Sequence, residues 1–156
     1  MSKPGIDKRI VVIGAGGHAR SVLDMLSYLT SFIEVFGIVD TDVSTHGGRL
    51  MGAPILGGDE MLNSLGQQGI THFVMGVGSV KTNVHRAEIY AKALRSGLRP
   101  LRVIHPHATI STWAKIGAGS VVLAGAIVNA GAVIGSNVII NSGAIIEHDC
   151  SIGDHV

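Results

Sequence analysis

Nine aliphatic residues recur at strict six-residue intervals in the last third of the chain: Ile104, Ile110, Ile116, Val122, Val128, Ile134, Ile140, Ile146 and Ile152. With Ile, Leu or Val at roughly three positions in ten, nine successive hits in one register arise by chance on the order of once in 10^4 to 10^5 trials, so the pattern is a hexapeptide repeat. The fifth position of each hexad repeats as well, as Ala108, Ala114, Ser120, Ala126, Ala132, Val138, Ala144, Cys150 and Val156, and turn-formers such as Gly125, Gly131 and Gly143 often precede it. A period of six suits neither a lone helix nor a lone strand. It suits a flat coil with three short strands and three corners, closing after roughly eighteen residues with its aliphatic anchors stacked inside. Residues 104–121 then make one coil, 122–139 a second, and 140–156 a third that is one residue short. Ile140, Ile146 and Ile152 are expected beside open backbone groups, so the chain reads as a truncated form. Cys150 falls at a small inward-facing position, where packing is its expected role.

The first hundred residues follow a different plan. Arg9 to Ile13 is a continuous apolar run, followed by Gly14-Ala15-Gly16-Gly17 and then by Ala19, Val22, Leu23 and Leu26 at helical spacing: strand, tight turn, helix. A second strand, Val35 to Val39, ends at Asp40, and a polar glycine-rich stretch leads to Ala53 to Gly58. Asp59 is the expected N-cap of a short helix through Leu65. His72 to Val77 forms a third strand, Gly76-Val77-Gly78-Ser79 turns into a helix running to about Ser96 with Gly97 just past its end, and Leu101 to Ile104 returns as a last strand. This alternation predicts a Rossmann-like parallel sheet with helices on both faces over residues 1–103, followed by a parallel β-helix over 104–156.

Such a sheet binds ligands at the carboxyl ends of its strands, where Gly14, Gly16, Gly17, Asp40, Gly76 and Gly78 would gather. Glycines let the backbone approach a diphosphate, and a helix start directs unpaired N–H groups at the anion. Gly14-x-Gly16-x-x-Ala19 with Asp40 downstream satisfies the loose dinucleotide fingerprint, although a glycine turn can equally serve close strand–helix packing. A nicotinamide dehydrogenase is disfavoured, because one mononucleotide-sized half precedes the solenoid and no room remains for a second.

Composition narrows the partners. Apolar residues make up 46% and aromatics 4%, which fits a narrow interior filled by aliphatic rungs. A formal charge of +1 without a basic run provides no electrostatic footprint for nucleic acid. With no signal-peptide plan and no run near the ~20 apolar residues that span a bilayer, neither a membrane nor secretion is expected, and a cytoplasmic location follows by default. No His/Cys/Asp spacing suggests a metal site.

Val11-Val12-Ile13-Gly14-Ala15-Gly16-Gly17-His18, Gly37-Ile38-Val39-Asp40, Ile55-Leu56-Gly57-Gly58 and Ile104-His105-Pro106 leading into hexads together resemble the sialic acid O-acetyltransferase and nucleotide-aminosugar N-acetyltransferase family, over essentially the whole chain. The resemblance implies a left-handed β-helix, a handedness that spacing alone cannot supply. It also implies acetyl-CoA as co-substrate, a sugar or nucleotide-sugar substrate held by the N-terminal domain, and a homotrimer with acetyl-CoA between neighbouring solenoids. His148 is then the general base, Asp149 the acid that orients its imidazole, and Asn141 a secondary cleft residue that positions substrate or pantetheine. His18, at the start of the first helix, is a candidate contact for a ligand phosphate or sugar. His105 and His107 are expected in structural or surface roles, and His155 falls one position short of the family's second cleft histidine. A rival reading is a catalytically inert nucleotide-sugar-binding or trimer-forming module, and O- versus N-acetylation stays open.

Overall fold

The computed structural model describes residues 8–79 and 82–156. In its first strand, β1 (Lys8–Ile13), the residues Ile10 to Ile13 are at most 1% exposed. Successive strand side chains point to opposite faces, so both faces must be covered. One is covered by α1 (Gly17–Ser27), whose Ala19, Val22, Leu23 and Leu26 pack with Ile10 and Val12. On the other, Val11 and Ile13 pack with Leu62 and Leu65 of α2 (Leu62–Leu65) and with Ile89 and Ala93 of α3 (Val84–Arg95). The sheet is completed by β2 (Ile33–Val39), β3 (Arg49–Leu50), β4 (Ala53–Gly57), β5 (His72–Met75) and β6 (Arg99–Pro100). Its order is β3-β4-β2-β1-β5-β6, and every neighbouring pair is parallel except β3 and β4.

Several local expectations change. β2 starts at Ile33 rather than Val35, and β5 ends at Met75 rather than Val77. The helix expected directly after Ser79 starts at Val84, and its expected residues Val80 and Lys81 lie outside the described residues. Gly58, not Asp59, is the residue that caps the turn before α2; the Asp59 carboxylate instead accepts from Lys92 Nζ at 2.8 Å. Within the polar stretch, Met51 (φ 48°) and Gly52 (φ 85°) form a two-residue turn that pairs β3 with β4. The strand expected over Leu101 to Ile104 is divided because the chain changes partner: Leu101 N–H still donates to Phe73 O of the sheet (2.9 Å), whereas Val103 N–H donates to Ser120 O of the solenoid (3.0 Å).

Nine two-residue strands follow: β7 (Val103–Ile104), β8 (Thr109–Ile110), β9 (Lys115–Ile116), β10 (Val121–Val122), β11 (Ile127–Val128), β12 (Val133–Ile134), β13 (Ile139–Ile140), β14 (Ile145–Ile146) and β15 (Ser151–Ile152). They form three parallel sheets, β13-β10-β7, β14-β11-β8 and β15-β12-β9, in which Val121 pairs with Val103 and with Ile139. The repeat thus closes a coil every third hexad. Val122, Val128, Ile134 and Ile140 are at most 4% exposed, while Ile146 and Ile152 of the last coil are half-buried. Cys150 corrects its expected packing role: it is exposed, since it too belongs to that outer coil.

The corners have their own six-residue period. Gly119, Gly125, Gly131, Asn137, Gly143, Asp149 and His155 all have φ between 56° and 77°, a region where glycine is unstrained and Asn, Asp and His are the most tolerated alternatives. At Gly125, Asn137, Gly143, Asp149 and His155 the corner N–H donates to the coil before it, as Asp149 N–H does to Ala130 O at 3.1 Å. At the junction, Val103, Val121 and Leu123 join the core beneath α1. His105 is buried there, with its ring 5.1 Å edge-on from Tyr28 and 5.2 Å from His107.

Candidate active site

The carboxyl ends of β1, β2 and β5 open into a cleft of about 890 Å³ whose opposite wall is the solenoid. Gly14, Gly16, Gly17, His18, Asp40, Gly76 and Gly78 all line it, and so does Asn141. Their reasons for being there differ. A Cβ on Gly14 (φ 101°) would lie 2.7 Å from Val77 Cγ2, and one on Gly76 would lie 2.7 Å from Gly14 O, so these two glycines are required by close packing. Gly16 and Gly17 have nothing within 4 Å of an added Cβ. They leave open space at the start of α1, where Gly16 caps the helix without a side-chain bond and Gly17 and His18 of the first turn line the cleft.

Asp40 serves the turn itself. Its Oδ2 accepts from Ala15 N–H at 2.5 Å and its Oδ1 from Asp42 N–H at 2.8 Å. The carboxylate therefore satisfies one turn amide and ties the end of β2 to the end of β1. His18 is half-buried, and its pKa is lowered from 6.5 to about 4, first by burial and then by the Arg86 guanidinium, so the ring is neutral at pH 7.

His148 does not line this cleft. It is exposed at a corner of the third coil, where its Nδ1 lies 2.9 Å from Asp149 Oδ2. A carboxylate only accepts, so in the neutral ring Nδ1 carries the proton and Nε2 presents a free lone pair. The bond to Asp149 and that residue's charge, with a smaller contribution from Glu147, raise the His148 pKa above its ordinary 6.5. Glu147 itself accepts from Asn129 Nδ2 of the coil beneath at 3.1 Å. The left-handed corner at Asp149 (φ 58°) turns the carboxylate beside the ring, and Gly131 one coil below leaves the space: a Cβ there would overlap Asp149 Oδ1.

Asn141 joins the two groups. It follows β13, whose Ile139 also lines the cleft, and it lies on the same coil as His148. Sequence reasoning missed Asn83 and His85 on the cleft's third wall, where the start of α3 faces the glycine turn. The signal available was their position just after the glycines that end β5. His155, outside the expected cleft set, instead meets Asn137 Nδ2 through Nδ1 at 2.8 Å. Among the described residues no helix is long and apolar enough to cross a membrane.

Residues 9–93 match the family model of the PglD N-terminal domain. The acetyltransferase domain of PglB from Neisseria gonorrhoeae FA1090, in complex with acetyl coenzyme A, is 37% identical with a TM-score of 0.80, the match covering 94% of this chain and 68% of that one. The chain belongs to the hexapeptide-repeat sugar N-acetyltransferase family. PerB from Caulobacter crescentus, in complex with CoA and GDP-perosamine, is 34% identical with a TM-score of 0.84 over 94% of this chain. This chain spans 66% of PerB, just under two thirds of its length. WeeI from Acinetobacter baumannii AYE, at 22% identity and a TM-score of 0.73, shares the fold. No curated protein sequence matches the chain. In this family the solenoid is the left-handed parallel β-helix, so the short parallel sheets described above wind with that hand.

Proposed function

We propose that this chain carries the active site of an acetyl-CoA-dependent N-acetyltransferase that acts on an amine of a nucleotide-linked sugar. The observation that carries the reading is the position of Asn141, which lines the cleft while standing on the same coil as the His148–Asp149 pair. The open positions Gly16 and Gly17 and the start of α1, whose cap makes no side-chain bond, suit the phosphates of a nucleotide sugar. PerB holds GDP-perosamine together with CoA, and the PglB domain holds acetyl coenzyme A, which favours nucleotide-sugar N-acetylation over O-acetylation of sialic acid.

His148 Nε2 takes a proton from the attacking amine as the C–N bond forms at the thioester carbon. Asp149 holds the ring in the productive tautomer and stabilises the imidazolium. Collapse of the tetrahedral intermediate breaks the C–S bond, CoA leaves as the thiolate, and the imidazolium returns the proton to it. His148 is too exposed to exclude water by itself, so a neighbouring solenoid supplies the second wall for the pantetheine arm, as in a homotrimer.

The test measures CoA release from acetyl-CoA with a panel of nucleotide-linked amino sugars, for this protein and its His148→Ala variant. Release that requires both the sugar and His148 is expected. General-base removal should cost about 10²–10⁴-fold in kcat while leaving sugar binding nearly intact. Sugar binding without CoA release would favour the binding-module reading, and equal activity of the variant would refute the assignment of the base.

A further inference from the structure

Four buried side-chain polar atoms lack a hydrogen-bond partner among the described residues: His18 Nε2, Arg86 Nε, Arg86 Nη2 and Asn137 Oδ1. They belong to three residues, of which His18 lines the cleft while Arg86 and Asn137 stand on the elements that carry the cleft residues His85 and Ile139. His18 lies in the first turn of α1, Arg86 in the first turn of α3 just after the cleft residue His85, and Asn137 at the solenoid corner that leads into β13. Arg86 Nη1 donates to the main-chain oxygen of Asn137, and the Arg86 charge acts on His18. Arg86 is 1% exposed and Asn137 is fully buried, and no carboxylate pairs with this arginine among the described residues. A buried cation without a counter-charge is costly. Leaving two of its own nitrogens, together with His18 Nε2 and Asn137 Oδ1, unpaired would add to that cost, which marks a position retained for more than packing.

The chemistry of the four atoms is complementary. Arginine can only donate, Asn137 Oδ1 can only accept, and a neutral imidazole nitrogen can do either. An ordered water shared by the three residues would accept from Arg86 and direct its own hydrogens at Asn137 Oδ1 and His18 Nε2. Nε2 is then an acceptor, and the ring proton resides on Nδ1, which is not among the enclosed atoms.

We infer that Arg86 is a positioning residue that sets the tautomer of His18 through the enclosed polar group it shares with Asn137, so that His18 presents Nδ1–H to the cleft as a donor to an oxygen of the acceptor substrate. This rests on the reading of the cleft as the nucleotide-sugar site. His18 discriminates for a ligand oxygen, sugar hydroxyl or phosphate, and against a ligand donor at the same point. Without Arg86 the ring is free to protonate Nε2, and Nδ1 becomes an acceptor that repels the same oxygen.

Nitrogen-15 NMR of the His18 imidazole tests this without requiring turnover. The expected result is the Nδ1–H form in the wild-type protein and a shift toward Nε2–H in Arg86→Gln, while Arg86→Lys, still a cation that only donates, keeps the wild-type form. Asn137→Gly keeps the left-handed corner and the main-chain oxygen, so it removes Oδ1 even if Arg86→Gln does not fold, and it too is expected to shift the ring. An Nε2–H ring in the wild-type protein, or a ring indifferent to both Arg86→Gln and Asn137→Gly, overturns the inference. In kinetics, Arg86→Gln should raise KM for the nucleotide sugar about 10-fold, the worth of one hydrogen bond to a charged or polar ligand group, with KM for acetyl-CoA unchanged. Adding His18→Ala should produce no further loss, since both changes remove one interaction; additive losses would place Arg86 outside it. Absence of any turnover in the wild-type protein would refute the proposed activity while the NMR result still decides the tautomer.

Discussion

Gly131→Ala separates the geometry of the catalytic corner from the stability of the solenoid. Gly131 adopts φ 77°, and a Cβ there would overlap Asp149 Oδ1 on the next coil. Two consequences follow, on different scales. An alanine in the left-handed region costs roughly 1–2 kcal/mol, which falls on stability. The overlap is relieved cheaply, because the Asp149 carboxylate is exposed and can swing away, but swinging away separates it from His148 Nδ1. Gly125 is the matched control. It occupies the equivalent position at the preceding corner, one hexad earlier, at φ 70°, and its added Cβ would approach nothing closer than 3.8 Å. Both variants should therefore lose about the same stability in urea denaturation, roughly 1–2 kcal/mol. Gly131→Ala alone should lose about 10-fold in kcat, less than the 10²–10⁴ expected for removal of the base because the imidazole remains. Equal kcat in the two variants, with unequal stability, would refute the claim that Gly131 makes room for the acid.

Asp149→Asn should move the acid limb of the kcat–pH profile to lower pH. His148 must be deprotonated to act, and Asp149 holds its pKa above 6.5, so loss of that carboxylate drops the midpoint toward the ordinary value. An unchanged midpoint would exclude the pair from the titration. Ile134→Ala should cost about 3 kcal/mol, since it opens a cavity in the sealed middle of the solenoid, whereas Ile152→Ala in the half-exposed last coil should cost about 1 kcal/mol. Comparable losses at the two positions in chemical denaturation would contradict the picture of a sealed middle and an open outer coil.

The hexad anchors alone determined the solenoid, its coil length and its register, because a period of six has one compact solution and each rung is local to its neighbours. The glycine turn and the strand end at Asp40 were equally legible, since tight turns demand particular residues. Local pattern failed where the chain changed partner. Leu101 continues an apolar run in sequence, yet the sheet and the solenoid divide that run between them. The same limit applies to the site. His148 and Asp149 are neighbours in sequence, so their pairing could be anticipated, while Cys150 beside them is exposed despite its inward position because that coil is the outermost. Nothing near Arg86 in the sequence announces that it bonds Asn137, 51 positions away, or that its charge acts on His18, 68 positions away. Periodicity records which face of a segment is buried, and that the sequence determined by itself. Which segments share the burial depends on three-dimensional closure, and only the tertiary structure decided that an arginine of α3 would be buried against a corner of the solenoid.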